Sequence, residues 1–191
     1  MDELKAVASD NISDKELIDR CLSGKEDGYT MLYHRYAKSI FNSIYRLLGD
    51  VQESEDLLQE VFLMVFSEMP KMKELRSFPA WANRVAINRS ISQLRKKKIY
   101  FTVIEDATII DTSEEEISAK QSLEGKIEDV QQAIAELPLE TRTIVNLFLF
   151  EDMPQQEIGE LLGLSHNTVR SQYHRAKRKI MQKLKQRSYH E

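Results

Sequence analysis

Apolar residues recur at helical spacing along most of the chain. Ser13-Asp14-Lys15-Glu16 has the form of a capping box, a hydroxyl followed three residues on by a carboxylate, and predicts a short helix through about Cys21. From Asp27, the stripe Tyr29, Leu32, Tyr33, Tyr36, Ile40, Ile44 and Leu47 predicts a second helix, ended by Gly49. Asp50 then suits an N-cap, with Glu53 at the third helical position. That third helix carries Leu57, Leu58, Val61, Phe62, Val65 and Phe66 inward and stops near Met69-Pro70. A basic loop at 71–77 follows, and Pro79 suits the first turn of a helix over about 79–98, with Trp81, Val85, Ile91 and Leu94 toward the core.

The pattern breaks at residues 99–121. YFTVIED is short and β-branched, and ATIIDTSEEEIS is acidic and rich in hydroxyls, so the segment reads as a linker. A local hairpin or packed strand at 100–104 is the competing reading. Helical spacing returns with Ile127, Val130, Ile134 and Leu137. Pro138 opens a helix over 139–150, another spans 154–162, and a long one starts at His166 after the turn Gly163-Leu164-Ser165. The expected fold is all-α: two small helical domains, 12–98 and 122–187, joined by a flexible acidic linker at 99–121, the second containing a helix-turn-helix.

Composition narrows the chemistry. The chain has one cysteine, Cys21, so no internal disulfide forms. The four histidines, His34, His166, His174 and His190, show no metal-ligand spacing. There is no Gly-rich phosphate loop and no nucleophile elbow. Catalytic residues, a metal and a cofactor are therefore not expected. The acidic, polar start lacks a secretory signal and no apolar run reaches about 18 residues, which predicts a cytoplasmic protein without membrane insertion.

The net charge of −4 hides a block structure. Residues 165–191 hold eight Lys/Arg against one acid, a net of +7; residues 84–98 hold six against none, +6. Between them, residues 105–129 hold nine acids against two lysines, −7. A single charge run reads as a solvated helix face, but two basic blocks separated by an acidic one are less easily dismissed in that way.

The most specific motif is PQQEIGELLGLSHNTVRSQYHRAKRKI, residues 154–180. Ile158, Leu161 and Leu162 bury the first helix, Gly159 is small where two helices cross closely, and Gly163 supplies a left-handed turn. Leu164 plugs the turn and Ser165 caps the second helix, which Val169, Tyr173, Ala176 and Ile180 hold down. Its other face carries Asn167, Arg170, Ser171, His174, Arg175 and Arg178, residues suited to base edges and phosphates in a DNA groove.

Two upstream segments need a separate account. In DVQESEDLLQEVFLMVFSEM, Glu53, Asp56 and Glu60 share a face that Leu63 and Met64 continue, so the helix is apolar almost all round and is either deeply buried or docks on a partner. In SFPAWANRVAINRSISQLRKKK, Asn83, Arg84, Asn88, Arg89 and the Lys/Arg cluster remain for the outer side, beside a basic loop, as suits single-stranded nucleic acid.

Together these segments resemble the bacterial extracytoplasmic-function (ECF) sigma factors, initiation factors of RNA polymerase, over about residues 14–98 and 122–185. ESEDLLQEVFLMVF is similar to the family's polymerase-clamp helix, FPAWANRVAINRSISQLRKKK to its −10 promoter helix, and residues 137–180 to its −35 domain. The resemblance implies that Glu53, Asp56, Gln59, Glu60 and Leu63 meet the clamp helices of the polymerase's largest subunit. It implies that the loop residues Lys71, Lys73 and Arg76, with Asn83, Arg84, Asn88, Arg95, Lys96 and Lys97, engage the melting −10 element. Asn167, Arg170, Ser171, His174, Arg175 and Arg178 would then grip the −35 element. The partners implied are core RNA polymerase, promoter DNA and an anti-sigma factor, with one copy of the chain per polymerase. Two departures are visible: Ser92 stands where the family often has Asp, and the loop before Trp81, KMKELRSFP, is poor in Gly. The rival reading is a stand-alone helix-turn-helix transcriptional regulator, dimeric on a palindrome.

Overall fold

A computed structural model describes residues 12–71, 77–97 and 124–188. The expected linker and second-domain start, the possible hairpin at 100–104, and the loop residues Lys73 and Arg76 lie outside the described residues. So does Lys98, and so does the side chain of Ile127. The chain divides into two compact units, Met1–Lys97 and Lys98–Glu191. Among the described residues all regular structure is helical.

The first unit contains α1 (Asp14–Leu22), α2 (Glu26–Leu48), α3 (Val51–Glu68) and α4 (Phe78–Lys96), with a 3₁₀ turn at Met69–Lys71. The expected caps form. Ser13 Oγ accepts from the Glu16 amide at 3.2 Å, and the Asp50 carboxylate accepts from the Glu53 amide at 2.8 Å. Gly49 ends α2 at φ 75°, the left-handed geometry that glycine adopts without a Cβ penalty. Ser77 caps α4, with Pro79 in its first turn.

Four helices close over one core. Leu17 and Cys21 of α1, Leu32, Ile40 and Ile44 of α2, Leu57, Leu58, Val61, Phe62 and Val65 of α3, and Phe78, Ala82 and Ala86 of α4 are buried together. Each buried Leu, Ile or Phe contributes about 1.5–3 kcal/mol relative to exposure. Helix α1 sits tightly on α2: a Cβ on Gly28 would lie 2.9 Å from Arg20 Cβ and from the Leu17 carbonyl oxygen. Polar contacts fix the same seam. Arg35 donates to Asp14 at 2.7 Å and to the Ile12 carbonyl at 2.8 Å, and the Tyr36 hydroxyl donates to Asp14. Burial and that bond push the Tyr36 hydroxyl up to about 12.

The second unit contains α5 (Glu124–Ala135), α6 (Leu139–Leu149), α7 (Gln155–Leu162) and α8 (His166–Ser188). Ala133, Ile134, Leu137, Val145, Ala176 and Ile180 form one buried cluster of this unit, and Ile144, Leu147, Ile158, Leu162 and Val169 are buried as well. Arg142 on α6 donates to the Ala135 carbonyl at 3.0 Å, placing a cation at the C-terminus of α5, where the helix dipole favours it.

Candidate polymerase and nucleic-acid interfaces

The turn of the helix-turn-helix is built from backbone. Gly163 has φ 74°, and the Leu164 amide donates to the Gly159 carbonyl at 2.8 Å, closing α7. Gly159 matters for a different reason from the one its spacing suggests. The nearest atom to a Cβ placed there is the Leu164 carbonyl oxygen, at 2.7 Å, so the glycine makes room for the turn itself. Ser165 Oγ then accepts from the Thr168 amide at 3.1 Å and starts α8.

Helix α8 buries Val169, Ala176 and Ile180 as expected, and half-buries Tyr173, whose ring packs on Phe148 at 4.6 Å between centroids. Burial raises the Tyr173 hydroxyl above its ordinary value. Gln172 is also buried, 3% exposed, a polar residue on the apolar side that periodicity alone did not single out. On the other side Asn167, Ser171, His174 and Arg178 follow at i, i+4, i+7 and i+11, flanked by Arg170 and Arg175. Asn167, Arg170, His174 and Arg178 are exposed; Ser171 and Arg175 are half-buried. The Ser171 hydroxyl donates to the Thr168 carbonyl at 3.0 Å.

In the first unit, α4 buries Ile87, Ser90, Ile91 and Leu94, while Trp81 and Val85 are half-buried. Arg84, Asn88 and Arg95 are exposed and form one stripe at i, i+4 and i+11, with Lys96 exposed beside it. Asn83 stands off this stripe and is half-buried. Lys71 is exposed and pairs with Glu68 at 2.7 Å, a surface pair worth at most about 1 kcal/mol.

The face of α3 opposite its core carries Asp56, Gln59 and Glu60, all exposed, with Leu63 at 72% exposure. A large aliphatic side chain held this far into solvent beside three acceptor-bearing residues suits a partner surface that is apolar at its centre and basic or amide-bearing at its rim. Glu53 does not stand with them. Its carboxylate turns toward α4, where it accepts from Gln93 Nε2 at 3.3 Å and from Lys97 Nζ through both oxygens.

Among the described residues no group of three His, Cys, Asp or Glu side chains could hold a metal ion, and no helix is long and apolar enough to cross a membrane. Cys21 is buried, 2% exposed, which pushes its thiol up to about 11, away from reactivity.

Residues 32–99 match the family model for sigma-70 region 2, and residues 127–180 match that for sigma-70 region 4. The ECF RNA polymerase sigma factor SigW of Bacillus subtilis is 28% identical over 182 residues, covering 90% of this chain and 96% of that protein. The ECF sigma factor SigE of Mycolicibacterium smegmatis is 30% identical over 154 residues, covering 78% of this chain and 58% of that protein. Among solved structures, CnrH in complex with the cytosolic domain of CnrY is similar in fold, with a TM-score of 0.52, 18% identity and coverage of 90% and 97%. The sigma factor RpoE of Bartonella quintana, in complex with the anti-sigma factor NepR, also has a TM-score of 0.52, at 17% identity and coverage of 82% and 96%. With region 2 and region 4 matched in order along one chain, and an ECF sigma factor matched over 96% of its own length, the chain belongs to the ECF group of the sigma-70 family.

Proposed function

We propose that this chain is a dissociable initiation factor that binds core RNA polymerase, places two helical domains on the −10 and −35 promoter elements, and promotes melting at the first. The observation that carries this reading is the pairing of two separate basic helix faces, on α4 and α8, with an acidic and apolar face on α3 that no DNA would attract. We assign the −10 and core-binding role to residues 12–98, the −35 role to 122–187, and the connecting role to 99–121.

Within that assignment, Asp56, Gln59, Glu60 and Leu63 dock on the polymerase clamp. Arg84, Asn88, Arg95 and Lys96 hold the melted strand, assisted by Asn83 and by the loop residues Lys71, Lys73 and Arg76. Unstacking a base costs a few kcal/mol, which a pocket on the protein offsets. Asn167, Arg170, Ser171, His174, Arg175 and Arg178 read or grip the −35 duplex. The polymerase performs the chemistry; this chain supplies none, takes no cofactor, and acts in the cytoplasm as one copy per polymerase. An anti-sigma factor that covers the basic faces would keep it inactive. The match of residues 32–99 to sigma-70 region 2 disfavours a stand-alone helix-turn-helix regulator, which has no use for such a domain.

Changing Asp56 and Glu60 together to Lys tests the docking face. Core polymerase captured by the tagged wild-type chain should be retained at least tenfold less by the double variant. Undiminished capture would remove α3 from the polymerase interface.

A further inference from the structure

Glu53 and Lys97 are assigned to different partners by their motifs, yet they are bonded to each other. Glu53 lies in the first turn of α3, and Lys97 caps the C-terminal end of α4, 44 positions later. Each charge already sits where a helix dipole favours it, the acid at an N-terminus and the base at a C-terminus. Gln93, one turn before Lys97, adds a third polar group to the contact. At 100° per residue, Gln93 stands roughly 160° round α4 from the Arg84, Asn88 and Arg95 stripe. The contact therefore joins the inner side of α4 to the start of α3, while the basic stripe stays on the outside.

We propose that Glu53, Gln93 and Lys97 form a strut that fixes the polymerase-docking face of α3 relative to the DNA-facing stripe of α4. Glu53 and Lys97 are positioning residues; neither touches polymerase or promoter. The geometry favours this over two independent contacts. The Glu53 carboxylate spends both oxygens on α4, and the Lys97 ammonium, though its side chain is 44% exposed, is drawn to the start of α3 and not along the stripe of Arg84 and Asn88. The inference rests on the sigma-factor reading above. It adds that the two faces act as one rigid piece, so that docking on polymerase delivers the α4 stripe at a set angle.

A charge swap in the full chain, assembled with core polymerase, tests it. Glu53→Lys and Lys97→Glu should each slow open-complex formation on a −10-containing promoter about threefold to fivefold, the size of coupling a half-exposed ion pair supports. Core affinity should stay within about twofold. The double variant, with the charges exchanged, should recover to within about twofold of wild type. Gln93→Ala, a milder change, should slow the same step about twofold. Weakened core affinity in Glu53→Lys without rescue by Lys97→Glu would make Glu53 a clamp contact and overturn the strut. A promoter defect in Lys97→Glu that Glu53→Lys leaves uncorrected would make Lys97 a DNA contact and overturn it equally. A wild-type chain that fails to activate core polymerase would instead defeat the underlying functional reading.

Discussion

Gly159 and Leu164 fit each other twice. The Leu164 amide donates to the Gly159 carbonyl at 2.8 Å, and the Leu164 carbonyl oxygen lies 2.7 Å from where a Gly159 Cβ would stand. The second atom is backbone and not the end of a flexible side chain, so relieving the clash requires the turn itself to shift. Gly159→Ala should therefore destabilise the second unit by about 1–3 kcal/mol, although Ala is the better helix former. Urea unfolding followed by far-UV circular dichroism measures this. Gly163→Ala has open space around it but a left-handed backbone, and should cost about 1 kcal/mol through strain alone.

Asp152 has φ 52° in the turn that leads into α7. Asp tolerates this geometry better than β-branched residues, whose Cβ crowds the backbone there. Asp152→Val should lose about 1–2 kcal/mol, while Asp152→Gly should stay within about 0.5 kcal/mol of wild type. Equal stability of the Val and Gly variants, read from thermal midpoints, would show the turn to be unstrained.

Burial pushes the Cys21 thiol from 9.0 to about 11, and burial with the Asp14 bond pushes the Tyr36 hydroxyl from 10.0 to about 12. Both groups are neutral in the fold at pH values where the unfolded chain would ionise them. Above about pH 9 the unfolded state therefore binds fewer protons, and stability should fall as pH rises from about 9 toward 12. Below about pH 8 these two groups should contribute almost no slope. A urea midpoint that holds steady up to pH 11 would contradict the assignment. Native Cys21 should also resist a thiol-reactive probe at pH 8 and react promptly once unfolded.

Helix existence, caps and most of the core were legible in the sequence because they depend on local chemistry. Ser13, Asp50, Gly49, Gly163 and Ser165 each act at the boundary where their residue type is favoured. The stripe Asn167, His174, Arg178 was legible because 3.6-residue spacing alone puts it on one side. What spacing could not supply was the contact between elements. Helical arithmetic puts Glu53 beside Asp56 and Glu60, yet its carboxylate turns to Lys97, 44 residues away. Gly159 was legible as a close approach, but only the folded turn identifies the Leu164 carbonyl as the neighbour. Gln172 falls at helical spacing between Val169 and Ala176, but its polar side chain does not mark it as a core residue; its burial does.

On the proposed −35 face, Arg170 and Arg175 flank the stripe of α8. If both meet phosphates, replacing each with Ala should weaken binding about uniformly across −35 sequences and reduce the salt slope of holoenzyme binding by about one per residue. Core affinity should not change. A loss confined to one base position would make that arginine a base reader instead.

Multi-round transcription with purified core polymerase tests the central claim most directly. Core alone should give no promoter-specific product. Adding this chain should yield a transcript starting a fixed distance from a −35/−10 pair, and the Asp56→Lys/Glu60→Lys variant should abolish most of it. Tight, sequence-specific binding of the purified chain to promoter duplex, with no gain from core polymerase and no transcript, would contradict the account.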